Sequence, residues 1–501
     1  MIDASSAPVA GPRLRRPWLA ALLSFVMPGL GQAYSGRYRI ALLMAVPVII
    51  LAVAAISVVG TTDGPARNSL LSNDFLVMVL GINIALLIWR GIAIAHAGLH
   101  PWDAIRDHDR RTSLMVVAGL LVLTLGMHAW VGGVVIQLND TLSQVFATDR
   151  PDPGGPPAGG DDPEPEEPVN EPDYEWDGTD RINILMLGTD AAPGREAVLT
   201  DVILALSIDP VERTAVMISV PRDTALVPLP DEMVYADGLF PDKVNALMAR
   251  AAAQPEAWCP DLEVETEEDA QVCGLRTIER SIGLYLGIEI HHYALIDMAG
   301  FADLIDALGG LELCLPGRLV DPEFDGSLEN RGADEPLVLP AGCHTYDGLE
   351  ALAYARSRKG WIEMPNGEQV AQSDFERNER QQAVLLAMRR EIAEGDTFLE
   401  LPDILRAVAR TVSTDFPRDK AGDLASLLPL ITGPDIDRVV LSYPEYVDLP
   451  ENPAANYVLI PRRDAIRDEM ERIFGRRELV GWYLASEAEG PGRSDGEATA
   501  P

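Results

Sequence analysis

Two arginine-rich stretches contain the residues whose types and spacing could do chemistry. Arg356 and Arg358 lie in YARSRKG, and Arg377 lies in SDFERNERQQ, which spans residues 373 to 382. The chain as a whole is strongly acidic, with a formal net charge of −37 over 501 residues. Guanidinium groups that converge on one point bind phosphate oxygens through paired hydrogen bonds. These stretches therefore predict a site for an anion such as a pyrophosphate.

The second stretch also predicts how its side chains are positioned. Ser373 followed three residues later by Glu376 is a capping box, which marks the start of a helix. On that helix Asp374, Arg377 and Gln381 stand at i, i+3 and i+7 and share one face. A helix N-terminus already favours anions, so Arg377 would strengthen that preference.

The first stretch allows two arrangements. If it is extended, Arg356 and Arg358 point to the same side, since alternate residues of a strand share a face. If it is helical, the two side chains diverge. A solvated pair with a neighbouring Glu is the alternative role for any single Arg. That alternative suffices for Arg380 and Arg389.

Three apolar runs rich in β-formers predict a meander earlier in the chain: 182–188, 202–208 and 215–220. In a meander the end of the first strand, the start of the second and the end of the third meet at one edge of the sheet. Charged residues occupy all three points: Asp190, Asp201, Arg222 and Asp223. Their convergence predicts a functional site, with turn formation as the alternative role for Asp190 and Asp223.

The region that follows alternates strands with helices. HHYALIDM (291–298) predicts a strand, AGFADLIDALGG (299–310) a helix closed by Gly, and LELCLP a further strand. This alternation indicates the α/β class, as an α/β/α sandwich around a central mixed sheet. His291 and His292 lack a third metal ligand at useful spacing and are interpreted as structural.

The four cysteines favour disulfides over a zinc site, because none forms a CxxC pair. Their even number suits two bridges in an oxidising compartment. Cys259 with Cys273 would close a loop, and Cys314 with Cys343 would link two neighbouring strands. Four buried thiols are the alternative.

Residues 1–140 contain the apolar runs of a multi-pass α-helical membrane region. Three runs are long enough to cross a bilayer core of about 30 Å: about 39–60, 75–97 and 113–138. An earlier run, 18–34, is interrupted by Pro28 and Gly29 and is too short to span. Arg90 lies within the second span, and we expect its side chain to extend to the membrane interface.

Basic residues set the orientation of these runs, because they favour the cytoplasmic side. They form three groups: Arg13, Arg15 and Arg16; Arg37 and Arg39; and Arg106, Arg110 and Arg111. All three groups can lie in the cytoplasm only if 18–34 is re-entrant, which leaves three full spans. The rest of the chain is then extracytoplasmic, where disulfides form.

Two segments have compositions that do not support a packed core. Residues 141–180 form an acidic, proline-rich linker, and residues 481–501 form a disordered tail. The folded domain predicted between them spans 181–480. The acidity of the chain excludes nucleic acid as a partner, because binding to nucleic acid depends on Lys and Arg contacts with phosphates.

Seven pieces of the folded domain resemble, in order, the LytR-CpsA-Psr family of cell-wall glycopolymer ligases. They are NILMLGTD, TDVILALSIDP, ISVPRDT, KVNALMA, HYALIDMAGFADLIDALGG, LEALAYARSR and DFERNERQQAVLLAM. No single piece is decisive, but seven pieces in register are specific.

The resemblance implies a bacterial membrane enzyme that transfers a glycan-1-phosphate from a polyprenyl-pyrophosphate carrier to a hydroxyl of peptidoglycan. It implies that Asp190 and Asp201 hold Mg²⁺ (or Mn²⁺) against the pyrophosphate. The pyrophosphate oxygens would be bound by Arg222, Arg356, Arg358 and Arg377. Asp374 and Gln381 would orient arginine or metal, and family members bind the lipid tail in an apolar tunnel. A general base is also needed, and Asp223 and Asp374 are the candidates.

The chain departs from the family pattern in two places. Where the family has Arg-Ser-Asp, this chain has Leu199-Thr200-Asp201, with Arg195 as the candidate replacement for the missing basic group. Most members have one transmembrane helix, whereas PGLGQAYSGRYR (28–39) resembles a motif of small multi-pass membrane proteins. Lipid recognition and assembly with polymer export machinery are the two roles considered for this extra region.

Two other functions fit the same residues. A hydrolase would cleave the lipid-linked pyrophosphate with water as the acceptor, and it would need the same metal and arginines. A non-catalytic membrane regulator or lipid-glycan binding module would need fewer of them. The number of acids and arginines at one predicted site favours the transferase.

Overall fold

The computed structural model divides the chain into two compact units, residues 1–140 and 141–501. It describes residues 16–61, 70–100, 107–146, 176, 180–189, 199–230, 234–324, 336–394, 401–431, 436–450, 457–475 and 479. Several predictions concern residues outside these ranges: nearly all of the 141–180 linker, the 481–501 tail, Asp190, Arg195, Arg13, Arg15 and Arg106.

The chain begins with apolar helices. They are α1 (Pro17–Val26), α2 (Leu30–Tyr34), α3 (Tyr38–Thr61), α4 (Asn73–Leu99) and α5 (Asp107–Val145). Within the described residues, three helical segments are long and apolar enough to cross a membrane: Tyr38–Ser57, Asn73–Leu99 and Arg110–Val145. The 18–34 run forms the short helices α1 and α2, neither of which has that length.

The short helix α1 is capped by a side chain from α4. A helix end leaves backbone carbonyls without partners, and lipid offers no hydrogen bonds to replace them. Arg90 Nη2 donates to the carbonyl of Phe25 at 2.7 Å, and its guanidinium lies 5.7 Å from the Phe25 ring centroid. Arg90 therefore stabilises the C-terminal turn of α1. The sequence predicts instead that its side chain extends to the membrane interface.

The second unit is built on strands that form one large and several small sheets. Its strands are β1 (Ile182–Thr189), β2 (Thr200–Asp209), β3 (Thr214–Ser219), β4 (Val227–Pro228), β5 (Leu239–Phe240), β6 (His292–Asp297), β7 (Leu311–Leu315), β8 (Arg318–Asp321), β9 (Leu337–Leu339), β10 (Gly342–Tyr346), β11 (Trp361–Glu363), β12 (Gln369–Ala371), β13 (Val412–Thr414), β14 (Ile436–Val440), β15 (Val447–Asp448) and β16 (Ile460–Pro461).

Its helices alternate with these strands. They are α6 (Leu247–Ala253), α7 (Pro255–Trp258), α8 (Glu267–Leu286), α9 (Met298–Ala307), α10 (Gly348–Arg356), α11 (Asp374–Glu394), α12 (Leu401–Thr411), α13 (Ala421–Ile431) and α14 (Arg463–Phe474).

The large sheet is mixed, which confirms the predicted class. Within the described residues its strand order is β13-β6-β1-β2-β3-β14. The predicted meander is present, because β1 pairs antiparallel with β2 and β2 antiparallel with β3. Strand β6 runs parallel to β1, and β14 runs parallel to β3. A smaller sheet in the order β12-β11-β8-β9 lies in the same unit.

Helices cover both faces of the large sheet. On one face Leu185, Ile203 and Ile218 pack with Ile278 and Ile282 of α8, and all five are at most 2% exposed. On the other face α11 is attached by Gln382, whose Nε2 donates to Ser219 Oγ at 2.9 Å. Each fully buried aliphatic side chain contributes about 1.5–3 kcal/mol to this arrangement. The fold is therefore the predicted α/β/α sandwich.

Both predicted disulfides are present. Cys259 and Cys273 join the segment after α7 to α8, with their Cα atoms 6.0 Å apart. Cys314 and Cys343 are directly paired across β7 and β10. The alternative of four buried thiols is wrong, because Cys314 and Cys343 are both bridged and exposed.

Candidate anion site

The edge of the meander brings two predicted site residues into contact. Asp201 is the second residue of β2, and Arg222 follows the end of β3. Arg222 Nη1 donates to Asp201 Oδ1 at 2.6 Å. Burial opposes the charge of Arg222, but the charge and hydrogen bond of Asp201 outweigh it, and the pKa of Arg222 is raised. Arg222 is therefore a fixed cation.

The first turn of helix α11 places Asp374 beside Arg222. The backbone N–H of Ser373 donates to Glu376 Oε2 at 2.8 Å, which is one half of the predicted capping box. The Ser373 hydroxyl accepts from the N–H of Phe375, at 3.2 Å, rather than from that of Glu376. Asp374 then lies at the start of the helix, with its Oδ1 3.9 Å from Arg222 Nε. The cap thus holds the Asp374 carboxylate beside Arg222 at the edge of the meander.

Arg377 is the most deeply buried cation of this group. Its side chain is 4% exposed, and its Nη1 lies 2.7 Å from Asp374 Oδ1. Its Nε and Nη2 are buried without a hydrogen-bond partner in the part of the chain that the structure describes. Burial lowers the pKa of Arg377, Arg222 adds to this shift, and Asp374 opposes it. A buried N–H without a partner is costly, so the pair of nitrogens indicates a place for an anionic acceptor.

Arg356 and Arg358 reach the same cavity by a route that combines the two predicted arrangements. Helix α10 ends at Arg356, and Ser357 has extended backbone angles. The stretch is therefore helical up to Arg356 and extended beyond it. Both arginines line one cavity of about 180 Å³. The predicted residues that line it are Asp201, Arg222, Arg356, Arg358, Arg377 and Gln381.

Asp223 is placed apart from this group. Its side chain is 4% exposed and accepts from Lys243 Nζ at 2.6 Å. Lys243 Nζ also lies 5.7 Å from the ring centroid of Tyr457. Within the described residues neither Asp223 nor Asp374 lines the cavity. Of the two candidate bases, Asp374 contacts the clustered arginines, whereas Asp223 is paired with Lys243.

An apolar cavity adjoins the charged one. It has a volume of about 70 Å³, and apolar side chains such as Val202, Leu352 and Val384 line most of it. Met298, Arg356 and Gln381 line both cavities, and the last two therefore lie where apolar and charged surfaces meet. Two such neighbouring spaces suit an amphiphile with an apolar tail and an anionic head.

Several residues of the cavity were not predicted from the sequence. They are Leu199, Met298, Asp321, Glu323, Phe324 and Lys359. Lys359 is one of three lysines in the chain and stands next to Arg358, so its type and place were a usable signal. Asp321, Glu323 and Phe324 lie in LVDPEF, a stretch without a chemical motif. Leu199 lies in the cavity at the position where the resemblance calls for a basic group.

The carboxylates of the site offer oxygen ligands of the kind that a divalent metal such as Mg²⁺ prefers. Among the described residues no group of three or more His, Cys, Asp or Glu could hold a metal ion. Mg²⁺ does not need such a group, since it is usually bound by one or two carboxylates together with substrate phosphates. Asp201 supplies one carboxylate beside the arginines, so the donor chemistry fits Mg²⁺ held jointly with a phosphate ligand.

Comparisons with known proteins give relatives in bacterial cell-wall assembly. The chain is 29% identical over 253 residues to the polyisoprenyl-teichoic acid–peptidoglycan teichoic acid transferase TagU of Halalkalibacterium halodurans, across 50% of this chain and 67% of that protein. It is 28% identical over 236 residues to the cell wall biosynthesis protein LcpA of Corynebacterium glutamicum, across 45% of this chain and only 39% of that protein.

Solved structures and a family match complete the comparison. The crystal structure of B. subtilis TagV aligns with 59% of this chain at 22% identity, with a TM-score of 0.41. The family protein YwtF (TagT) with bound octaprenyl pyrophosphate lipid aligns with 60% of the chain at 20% identity, with a TM-score of 0.38. The sequence model of the LytR_cpsA_psr family matches residues 160–467, which is more than half of the chain. The chain belongs to the LytR_cpsA_psr family.

Proposed function

We propose that this protein is a phosphotransferase that moves a glycan-1-phosphate from a polyprenyl-pyrophosphate carrier to a hydroxyl of peptidoglycan. The observation that carries the proposal is Arg377, a buried cation with two unpaired nitrogens beside the junction of a charged and an apolar cavity. The relative of this chain in H. halodurans is named for the transfer of teichoic acid between a polyisoprenyl carrier and peptidoglycan.

The two cavities assign the parts of the carrier. The polyprenyl chain would occupy the apolar cavity, where Leu352 and Val384 exclude water. The pyrophosphate would then lie in the charged cavity, where it accepts from Arg377 Nε and Nη2 and from Arg222. Phosphoryl transfer requires mainly positioning and the neutralisation of developing charge. Fixed guanidinium groups supply both.

Asp201, together with Asp190 outside the described residues, would hold Mg²⁺ against the pyrophosphate. The ion would neutralise phosphate charge and make polyprenyl phosphate a better leaving group. Arg222 holds Asp201 at 2.6 Å, so this carboxylate keeps its place at the edge of the sheet before the substrate arrives. Mg²⁺ is thus an expected cofactor of the reaction, and Mn²⁺ offers the same oxygen preference.

We assign deprotonation of the acceptor to Asp374. Both carboxylates contact a cation, but that of Asp374 is 22% exposed, whereas that of Asp223 is 4% exposed and paired with Lys243. In the reaction the acceptor hydroxyl gives its proton to Asp374 as its oxygen bonds to the phosphorus that carries the glycan. The bond from that phosphorus to the bridging oxygen breaks, and polyprenyl phosphate leaves with the electron pair.

The location proposed is the bacterial cell membrane, with three spans and an extracytoplasmic catalytic domain. Three helices of sufficient length and the arginines near their ends support this topology. The two disulfides of the second unit support an oxidising compartment for that unit. The 18–34 segment would be re-entrant, with α1 capped by Arg90.

The test is a reconstituted transfer reaction. The full chain in detergent is incubated with Mg²⁺, a short polyprenyl-pyrophosphate oligosaccharide and peptidoglycan fragments, and mass spectrometry follows the products. A sugar-phosphate adduct on peptidoglycan, lost in Arg356→Ala and Asp201→Ala, is the expected result. Free glycan phosphate without an adduct would instead identify a hydrolase. Intact substrate that binds without turnover would indicate a binding or regulatory module.

A further inference from the structure

The segment that carries Arg358 is attached to a buried carboxylate on the smaller sheet. Asp321, the last residue of β8, is 1% exposed. Its Oδ2 accepts from Ser357 Oγ at 2.8 Å, from the N–H of Arg358 at 3.1 Å and from the N–H of Lys359 at 3.2 Å. Three donors from consecutive residues thus converge on one oxygen, so a single side chain fixes the path of residues 357–359.

The same segment is attached from the opposite side by a buried cation. Arg380, on α11, is 5% exposed, and its Nε donates to the carbonyl of Tyr354 at 2.9 Å. Its other nitrogens donate to the carbonyl of Ser357 and to Gln372. Arg380 therefore binds the last turn of α10 and the residue that follows it. The sequence indicates only a solvated surface pair for this arginine.

The close fit of the segment on the smaller sheet supports this attachment. A Cβ at Gly360 would lie 2.0 Å from the carbonyl oxygen of Val320 on β8. A real side chain cannot occupy that space, so the backbone of the segment lies directly against the strand. Residues 357–360 are therefore held by Asp321, by Arg380 and by backbone contact.

We propose that Asp321 and Arg380 are positioning residues that hold Arg356 and Arg358 in the geometry that binds pyrophosphate. This inference rests on the proposed function. Arg356, Arg358 and Arg377 line one cavity, and the repulsion between their like charges must be opposed by the surrounding chain. A segment fixed through its backbone resists that repulsion, and a preorganised site loses less entropy when it binds.

Binding of two matched probes tests the proposal on the full chain in detergent with Mg²⁺. Farnesyl pyrophosphate carries the anionic head, and farnesol carries the same tail without it. For Asp321→Asn we expect farnesyl pyrophosphate to bind about tenfold more weakly and farnesol to bind as in the wild type. In the transfer reaction KM for the carrier should rise by a similar factor, with kcat changed by less than about threefold.

The control is a carboxylate that contacts the backbone at the opposite end of α10, away from residues 357–359. Asp306 Oδ1 accepts from the N–H of Gly348 at 2.7 Å, at the start of α10. Asp306→Asn removes charge at the far end of that helix and should leave the affinity for both probes unchanged. Ser357→Ala removes one of the three donors to Asp321 and should give a smaller loss for farnesyl pyrophosphate than Asp321→Asn.

Three outcomes overturn the positioning role. Asp321→Asn could bind farnesyl pyrophosphate as tightly as the wild type. It could lose affinity for both probes alike, which would show general destabilisation. Asp306→Asn could have the same selective effect. Arg377→Met separates the two hypotheses. If this variant keeps its affinity for farnesyl pyrophosphate, the proposed pyrophosphate site is refuted. If it loses that affinity while Asp321→Asn binds as the wild type does, only the role of Asp321 is refuted.

Discussion

Replacement of Arg377 by Met tests whether its unpaired nitrogens exist for a ligand. Met matches the stem of the Arg side chain in length and keeps the apolar contacts of that stem, but it removes the charge and every donor. We expect Arg377→Met to lose affinity for farnesyl pyrophosphate while the protein without ligand keeps most of its stability. If Arg377 had a mainly structural role, the variant would lose stability but keep its affinity for farnesyl pyrophosphate.

The magnitude follows from the contacts of the guanidinium group. Its Nε and Nη2 are buried and lack partners within the described residues, so each gains a hydrogen bond if a phosphate oxygen reaches it. Hydrogen bonds to charged groups contribute about 1.5–3 kcal/mol each. Two such bonds amount to about 3–6 kcal/mol, or a loss of affinity of roughly two to four orders of magnitude.

The cost to the protein without ligand should be smaller. Arg377 has one ion-pair contact, to Asp374, and Asp374 remains 22% exposed and 3.9 Å from Arg222 Nε. The carboxylate is therefore not left fully buried and alone. Burial already disfavours the charged form of Arg377, as the lowered pKa shows. Removal of a poorly compensated buried charge offsets much of the lost contact.

Isothermal titration with farnesyl pyrophosphate and thermal unfolding of the full chain measure the two effects. Arg390→Met is the matched control, because Arg390 lies on the same helix and is exposed. The reasoning is refuted if Arg377→Met binds the probe within about threefold of the wild type. It is also refuted if the melting temperature falls sharply while affinity per folded molecule is unchanged.

Three further predictions concern stability. Burial and His292 lower the pKa of His291 to about 4. The same side chain titrates near 6.5 in the unfolded chain. The free energy of unfolding should therefore be constant above pH 6.5 and fall by up to about 3 kcal/mol as the pH drops towards 4. Denaturant unfolding across this range should show the slope in the wild type and a weaker one in His291→Gln. The double variant Cys259→Ser with Cys273→Ser opens a bridge with a sequence separation of 14, and chemical unfolding should show a loss of about 3 kcal/mol. Gly360→Ala places a methyl group against β8, and its unfolding free energy should fall by about 1–3 kcal/mol.

The sequence predicts the elements of this site well where local rules apply. Alternation of apolar runs gives the meander and so the meeting of Asp201 with Arg222, because antiparallel neighbours must place these strand ends together. Helix periodicity gives the shared face of Arg377 and Gln381, which both line the cavity. Both predictions depend on geometry within one or two adjacent elements.

Prediction fails where a contact joins elements distant in the chain. Asp321 meets the N–H of Arg358 across 37 positions, and no local pattern marks either residue as a partner of the other. Arg380 looks like a surface residue in sequence because Glu379 precedes it, yet it is 5% exposed. Only the packing of α10 on α11 decides its burial. The separate pairing of Asp223 with Lys243 is hidden for the same reason.

The acidic residues of the site explain how several arginines can remain together before a ligand binds. Asp201 and Asp374 contact Arg222, and Asp374 also contacts Arg377, so the carboxylate of Asp374 lies between two cations that would otherwise repel one another. Neither carboxylate pairs with Arg377 Nε or Nη2, which keeps part of the positive field directed at the cavity. A pyrophosphate bound there, as proposed, would leave these ion pairs in place. Arg377 is largely withdrawn from solvent. Salt should therefore weaken the attraction between Arg377 and an anionic ligand less than it weakens the repulsion of that ligand by exposed acidic residues.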